Sequence, residues 1–178
     1  MNYYGARQLA DSFRTVRKNT ITLADEIPAD KYGFMPVGGV RTVAGQLAHV
    51  ALATGWQMGV HREGLTFIDF ERFGAELARV AAREQTLRTK DQILGALRAE
   101  GDEFASFIES LDEDRLAEMV GFPMPPSPKS RFEMLLGVKE HEMHHRAQLM
   151  LVQRMLGIVP HLTRQREARR TAAAAGKA

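Results

Sequence analysis

The sequence predicts an all-α fold, a bundle of about four principal helices. Apolar residues recur at the three- and four-residue spacing of amphipathic helices in four long segments. Segments rich in proline and glycine separate them, and none shows the sustained apolar–polar alternation of a strand. Because 178 residues can bury one hydrophobic core, we expect a single domain.

The first helix is predicted to end near Glu26, just ahead of Pro28. Its apolar stripe consists of Leu9, Phe13, Val16, Thr20 and Leu23. Residues 27–41 contain two prolines and three glycines, a composition typical of a connecting loop.

The second helix is predicted to begin after Thr42, a good N-cap residue, and to run to about Arg62. Its stripe consists of Val43, Leu47, Val50, Ala51, Thr54 and Met58. Gly64 then interrupts the periodicity. One short additional helix is indicated by Phe70, Phe73, Leu77 and Val80.

The third long helix is predicted to start at a capping box formed by Thr89 and Gln92 and to stop before the acidic cluster at 112–114. Its stripe consists of Ile93, Leu97, Phe104, Ile108 and Leu111. Residues 121–129 contain four prolines, so we expect an extended crossover there.

The fourth helix is predicted to open with a second capping box, Ser130 and Glu133, and to close at Gly157 ahead of Pro160. The apolar residues expected to pack inward are Phe132, Leu135, Leu136, Met143, Leu149, Val152 and Leu156.

Composition excludes several classes of site. The chain has no cysteine, so disulfides, thiolate nucleophiles and iron–sulfur clusters are ruled out, and any metal must be bound by His, Asp or Glu. No stretch is long and apolar enough for a membrane span, and the first twenty residues lack the apolar region of a signal peptide. We therefore expect a cytoplasmic protein without membrane contact.

Positive charge is concentrated at the end of the chain. Residues 163–178 carry five Lys or Arg against one Glu, whereas the whole chain has a net charge of +2, which leaves −2 for residues 1–162. The predicted bundle, residues 1–162, is thus nearly neutral and lacks the basic stripe of a dedicated nucleic-acid binder. We expect residues 163–178 to form a basic, disordered tail.

The histidines indicate a metal site. Three of the six lie in the run HEMHH, residues 141–145. Residues four apart on a helix differ by about 40° in azimuth, so His141 and His145 can share one ion, whereas His144 lies about 100° from His145. His49, on the apolar second helix, is the candidate third ligand. Imidazole ligands suit zinc, nickel or iron.

Two other metal motifs fit less well. HEMHH matches the H-E-x-x-H motif of zinc proteases, but the sequence shows no strand of the kind that lines their substrate cleft, and only His161 follows as a further ligand. A ferritin-like di-iron site needs Glu-x-x-His on two helices, and only Glu142 with His145 fits. The roles of Glu142 and Arg146 stay open, and Glu142 could equally form a surface salt bridge.

The remaining candidate residues have plainer interpretations. His61 and His161 lie at predicted helix ends, where we expect surface residues. Trp56 is expected in the core or in a pocket wall.

The run HEMHHRAQL at 141–149, the His within QLAHVA and the closing LGIVP at 156–160 resemble the DinB family over about residues 5–160. The resemblance implies a four-helix bundle with a long crossover, often dimeric. It also implies a three-histidine metal site, which corresponds here to His49, His141 and His145; the family's second ligand of the pair directly precedes Arg, which favours His145 over His144.

The resemblance also suggests a reaction. Better-understood relatives are thiol-dependent transferases and isomerases, in which the metal is thought to activate a small thiol such as bacillithiol or mycothiol. We therefore expect a metal-dependent thiol S-transferase or isomerase acting on a small electrophile, and a homodimer. The alternative is a non-catalytic metal-binding protein that acts in a stress response or through a partner.

Overall fold

A computed structural model describes residues 4–125 and 127–175, and it confirms the all-α bundle. Residues 1–3 and 176–178, at the ends of the predicted bundle and tail, and Pro126 of the predicted crossover lie outside the described residues. The four long helices are α1 (Ala6–Glu26), α2 (Val43–Arg62), α4 (Lys90–Glu109) and α6 (Arg131–Met155). The shorter helices are α3 (Phe70–Glu84), α5 (Glu113–Ala117) and α7 (His161–Ala175), with a 3-10 turn at Ala29–Lys31.

The four long helices form a ring in which α1 packs against α4 and α6, and α2 packs against the same two helices. Helices α1 and α2 are therefore diagonal to each other, as are α4 and α6. The chain crosses the bundle twice, through residues 27–42 and again through residues 110–130. Helix α3 packs on the outside of α2.

The predicted helix ends are confirmed by their caps. The side chains of Thr42, Thr89 and Ser130 accept hydrogen bonds from backbone N–H groups of the following turns, and Thr89 and Ser130 complete capping boxes with Gln92 and Glu133. At the end of α6, Gly157 has φ +77°, the left-handed conformation that glycine adopts without strain. The Ile158 N–H donates to the Gln153 carbonyl, so α6 ends in a Schellman motif.

The crossover contains two elements that the sequence did not predict. Asp112 caps α5 by accepting from the Arg115 N–H, so the acidic cluster starts a short helix instead of only ending α4. Met119–Val120 (β1) and Lys129–Ser130 (β2) form an antiparallel pair. Strands of two residues are too short to show alternation, so they cannot be predicted from the apolar pattern.

The expectation that His61 lies on the surface is wrong. Its side chain is 1% exposed because the crossover covers the end of α2. Arg131, fully buried, donates to His61 Nδ1 at 3.0 Å and to the Leu65 carbonyl at 2.9 Å, and Arg115 donates to the His61 carbonyl. These bonds fasten the crossover to the end of α2.

The chain end also differs from the expectation. Residues 161–175 form α7 where we expected a disordered tail from residue 163, because the segment is rich in Ala, Arg, Gln and Glu, which favour helix. His161, expected on the surface, is 4% exposed and contacts Asn19 of α1. Arg164 pairs with Glu26, so the first turn of α7 is held against α1.

The described residues contain three apolar core clusters, of which the smallest is formed by Val60, Ile68, Val120 and Met134, and a buried polar layer lies between the two larger ones. One of the larger clusters includes Leu23, Leu47, Val50, Ile93, Leu97 and Leu149, and the other includes Leu9, Phe13, Phe104, Ile108, Leu135 and Val138. Between them, Arg17 of α1 pairs with Glu142 of α6 at 2.9 Å, with side chains 4% and 2% exposed. Met143, expected in the core, is 42% exposed, since it lies on the outer face of α6.

No helix within the described part of the chain is both long enough and apolar enough to cross a membrane.

Substitution of Gly101 should test the packing around the buried Arg17. A Cβ atom at Gly101 would lie 2.8 Å from Arg17 Cγ, so Gly101→Ala should lower the free energy of unfolding by about 1–3 kcal/mol. Gly95, on the same helix, has nothing within 4 Å, and Gly95→Ala should raise that free energy by up to about 1 kcal/mol. Urea unfolding of both variants measures the difference, and equal effects would contradict this account of the packing.

Stability should depend on pH through His61. Burial, reinforced by Arg131 and Arg115, lowers the pKa of His61 to about 4, whereas the unfolded chain protonates this residue near 6.5. Since the unfolded state binds more protons between these values, stability is lost as pH falls from 6.5 to 4, by roughly 3 kcal/mol from this residue. His61→Asn, whose Oδ1 can still accept from Arg131, should flatten that slope in metal-free protein.

The matched control is His144→Asn, because His144 is exposed. Urea unfolding at several pH values should show that the free energy of unfolding of this variant depends on pH as that of wild type does. If the stability of His61→Asn has the same pH dependence as that of wild type, His61 is not neutral in the folded protein.

Candidate metal centre

The structure brings His49, His141 and His145 together at the α2–α6 contact. His49 Nε2 lies 3.1 Å from His141 Nε2, which lies 3.0 Å from His145 Nε2. A set of ring nitrogens, one from each residue, lies within 4.8 Å of one another, and the cluster contains no fourth His, Asp or Glu among the described residues. This is the triad that the sequence predicted.

Two of the imidazoles are held by polar groups on their outer sides. His49 Nδ1 lies 2.8 Å from the Glu84 carboxylate, and His145 Nδ1 lies 2.9 Å from Gln148 Oε1. The Glu84 carboxylate can only accept, so His49 Nδ1 carries the proton and donates to it. In the neutral ring, the Nε2 lone pair of His49 is therefore directed into the cluster. The side-chain amide of Gln46 also contacts His145 Nδ1 and donates to Gln148 at 2.8 Å.

This arrangement fits a divalent metal ion. His141 Nε2 contacts the Nε2 atoms of both other histidines, and a single ring N–H could donate to only one of them. A cation satisfies all three lone pairs at once. Nitrogen ligands about 2.0 Å from a tetrahedral ion lie about 3.3 Å apart, close to the separations of 3.0 and 3.1 Å.

The local electrostatics favour the neutral forms of His141 and His145. Burial lowers the pKa of His141 to about 4, and the neighbouring histidines lower it further in the same direction. Burial also lowers the pKa of His145, although its bond to Gln148 opposes the shift. At neutral pH His141 is therefore unprotonated, which is the form that binds metals.

Glu142 takes no part in the cluster. Both of its carboxylate oxygens accept from Arg17 Nε, at 2.9 and 3.1 Å, and the side chain is buried. Glu142 is thus neither a surface salt-bridge partner nor available as the general base of a zinc protease, and the H-E-x-x-H interpretation is excluded by geometry.

The other flanking residues also lie outside the cluster. His144 is exposed and bonds to Gln148, as expected from its azimuth on the helix. Arg146 donates to the Val16 carbonyl of α1, and burial lowers its pKa. Its role is to join α6 to α1.

A cleft of about 480 Å³ opens beside the triad, and His49 and His141 form part of its wall. Opposite them are three aromatic rings, Trp56, Phe73 and Phe122, whose centroids lie 5.6–6.5 Å apart in edge-to-face contact. The expectation that Trp56 lines a pocket is confirmed. Lys129 and Glu133 lie on the same cleft.

Several residues of the site were missed from the sequence. Glu84 is the last residue of α3, and nothing in its sequence spacing links it to His49. Gln46 could have been found, because it is a polar residue three positions before His49 on an otherwise apolar helix. Arg17 could not, since its partner is 125 residues away.

The family model of the DinB superfamily matches residues 12–149. A search of curated protein sequences found no match.

Solved structures of DinB-like proteins have the same fold. A DinB-like protein of Bacillus subtilis, YjoA, is 19% identical with a TM-score of 0.64, covering 84% of this chain and 92% of its own. A DinB-like protein of Bacillus cereus is 17% identical with a TM-score of 0.65, covering 86% and 93%. YfiT of Bacillus subtilis, described as a probable metal-dependent hydrolase with an unusual four-helix bundle topology, is 13% identical with a TM-score of 0.67, covering 89% and 91%.

Removal of the carboxylate behind His49 should weaken metal binding. Glu84→Ala frees His49 to rotate and to change tautomer, and we expect the Kd for Zn²⁺ to rise by about 10- to 100-fold. Isothermal titration calorimetry measures the constant. Glu76→Ala is the matched control, because Glu76 is also on α3 and is 14% exposed, against 13% for Glu84, but pairs with Arg72 and Arg79. Equal affinities for the two variants would show that Glu84 does not orient the ligand.

Proposed function

The chain belongs to the DinB superfamily, as the resemblance of its motifs predicted, and we propose that it is a metal-dependent thiol S-transferase or isomerase acting on a small electrophile. In this proposal His49, His141 and His145 hold a divalent ion. The hydrolase description belongs to YfiT, which shares only the fold at 13% identity.

The observation that carries the proposal is the position of the triad on the wall of a cleft. A structural metal site is closed by four protein ligands, whereas a catalytic site commonly has three and leaves one position open. Here the described residues supply three, and two of them line a cavity of about 480 Å³, which is in the size range of small-molecule sites. These features support catalysis over a purely structural metal.

The cleft wall favours a substrate with an apolar, preferably aromatic, body. Trp56, Phe73 and Phe122 line the cavity, and a flat ring can add to their edge-to-face packing. Lys129, half-buried on the same cleft, can meet a polar or negatively charged substituent. Glu133 is already engaged, since its carboxylate accepts from Ser130.

The chain's own residues would orient the reactants. A divalent ion supplies a Lewis acid that lowers the pKa of a nearby thiol, which is about 8.5 when free. Glu84 and Gln148 hold the imidazoles of His49 and His145 in one orientation, and the aromatic wall holds the electrophile. In the transfer reaction the sulfur bonds to the electrophilic carbon, the leaving group departs with its electron pair, and the thiol proton goes to solvent.

Metal content is the first test of the proposal. We expect close to one equivalent of zinc, nickel or iron in wild-type protein purified without a tag, measured by elemental analysis. His145→Ala should lose most of the metal. His144→Ala should retain it, because His144 is one residue away but exposed and outside the triad. If the wild-type protein is purified without metal and also fails to bind added zinc or nickel, the proposal of a metal site is wrong.

The reaction is tested with 1-chloro-2,4-dinitrobenzene and cysteine as the thiol. Metal-loaded wild type and His144→Ala should form the thioether faster than the uncatalysed reaction, and His145→Ala should not. A hydrolysis assay with 4-nitrophenyl acetate runs alongside. Metal-loaded protein that hydrolyses the ester but forms no thioether would replace the transferase with a hydrolase, and protein inactive in both would support the non-catalytic alternative.

A further inference from the structure

A second cleft lies on the same α2–α6 seam, on the other side of the triad. The first cleft is lined by residues 53–57 of α2 and 133–141 of α6, whereas the second is lined by residues 42–46 and 148–155. The two helices are thus antiparallel, and the histidines stand between the clefts. The second cleft has a volume of about 450 Å³, close to that of the first.

The two clefts differ in chemistry. The second has no aromatic ring among its lining residues, and its wall is aliphatic, with exposed side chains at Val37, Leu151 and Met155. Its one charged lining residue is Arg41, which has no carboxylate within 4 Å among the residues that the structure describes. The cleft therefore combines an apolar wall with one cation free to bind an anion.

The backbone at this end of α2 cannot serve the anion instead. The Val43 and Ala44 N–H groups donate to the carbonyls of Phe34 and Tyr32, and the Gly45 N–H donates to Thr42. With these donors occupied, Arg41 is the group that would bind a carboxylate or similar anion.

Polar contacts connect this cleft to the triad. Gln46 and Gln148 line it, and both contact Nδ1 of His145. A ligand in the second cleft therefore lies against the amides that hold one proposed metal ligand, while the first cleft contacts His49 and His141 directly.

We propose that the second cleft binds an organic anion with an aliphatic body, its anionic group on Arg41 and its body on Val37, Leu151 and Met155. The triad then stands between two small-molecule sites. The identification of this anion as the second reactant, the thiol-bearing one, rests on the proposed function, whereas the binding itself does not.

Binding is tested with octanoate as the probe, by NMR titration of the metal-free protein. Saturable shifts should appear at the amides of residues 37–46 and 148–155 and not along the first cleft. Octanamide, which has the same chain without the charge, should bind at least about tenfold more weakly, because a hydrogen bond to a charged group contributes about 1.5–3 kcal/mol. Arg41→Gln should weaken the binding of octanoate by the same factor.

Arg98→Gln is the matched control, because Arg98 is exposed on α4 and lines neither cleft. This variant should bind octanoate as wild type does. The proposal would be overturned if Arg41→Gln binds octanoate as tightly as wild type does. It would also be overturned if octanoate shifts only amides along the first cleft, or shifts none. It would also be overturned if the second-cleft shifts follow protein concentration without octanoate and light scattering shows a dimer, since a second copy would then cover the cleft.

The role as second reactant is tested separately in the thioether assay. Octanoate should inhibit competitively against the thiol and not against 1-chloro-2,4-dinitrobenzene. If octanoate binds the second cleft but does not compete with the thiol, the proposed anion site stands. Its proposed role as the site of the second reactant is then wrong. Because binding is measured without metal, failure of the transferase proposal does not affect that result.

Discussion

The buried ion pair of Arg17 and Glu142 is the interaction on which the rest of the structure depends. Taking two charges out of water costs several kcal/mol per ion, so such a pair is tolerated only when its hydrogen bonds are satisfied. Arg17 meets this condition by donating to Glu142 of α6 and to the carbonyls of Leu97 in α4 and Val50 in α2. One side chain from α1 thereby fixes the other three long helices at a single level of the bundle.

That level is also the level of the triad. Val50 directly follows His49, and Glu142 directly follows His141. The polar layer therefore sets the separation of α2 and α6 where the imidazoles meet, while the apolar clusters above and below it supply most of the burial. Helix α3 adds little to the core, but its last residue, Glu84, holds His49 from outside the bundle.

Much of the fold and the triad could be predicted because the signals are local. Capping boxes mark where α4 and α6 begin, and the four-residue spacing of His141 and His145 places both on one face. What could not be predicted depends on packing between distant segments. His61 lies at a helix end, where exposure is the normal outcome, and only the crossover that folds over it makes it buried. The partners of Arg17 and His49 are likewise set by how the helices meet.

The two diagonal crossings of the chain have a consequence for how the molecule folds. In a bundle whose consecutive helices are neighbours, most contacts form between segments close in sequence, and folding is fast. Here His49 meets His141 across 92 residues, and Arg17 meets Glu142 across 125. Such contacts require closure of long loops before they contribute any stability, which slows folding. We therefore expect the triad and the ion pair to form late in folding, after the local turns and caps of each helix.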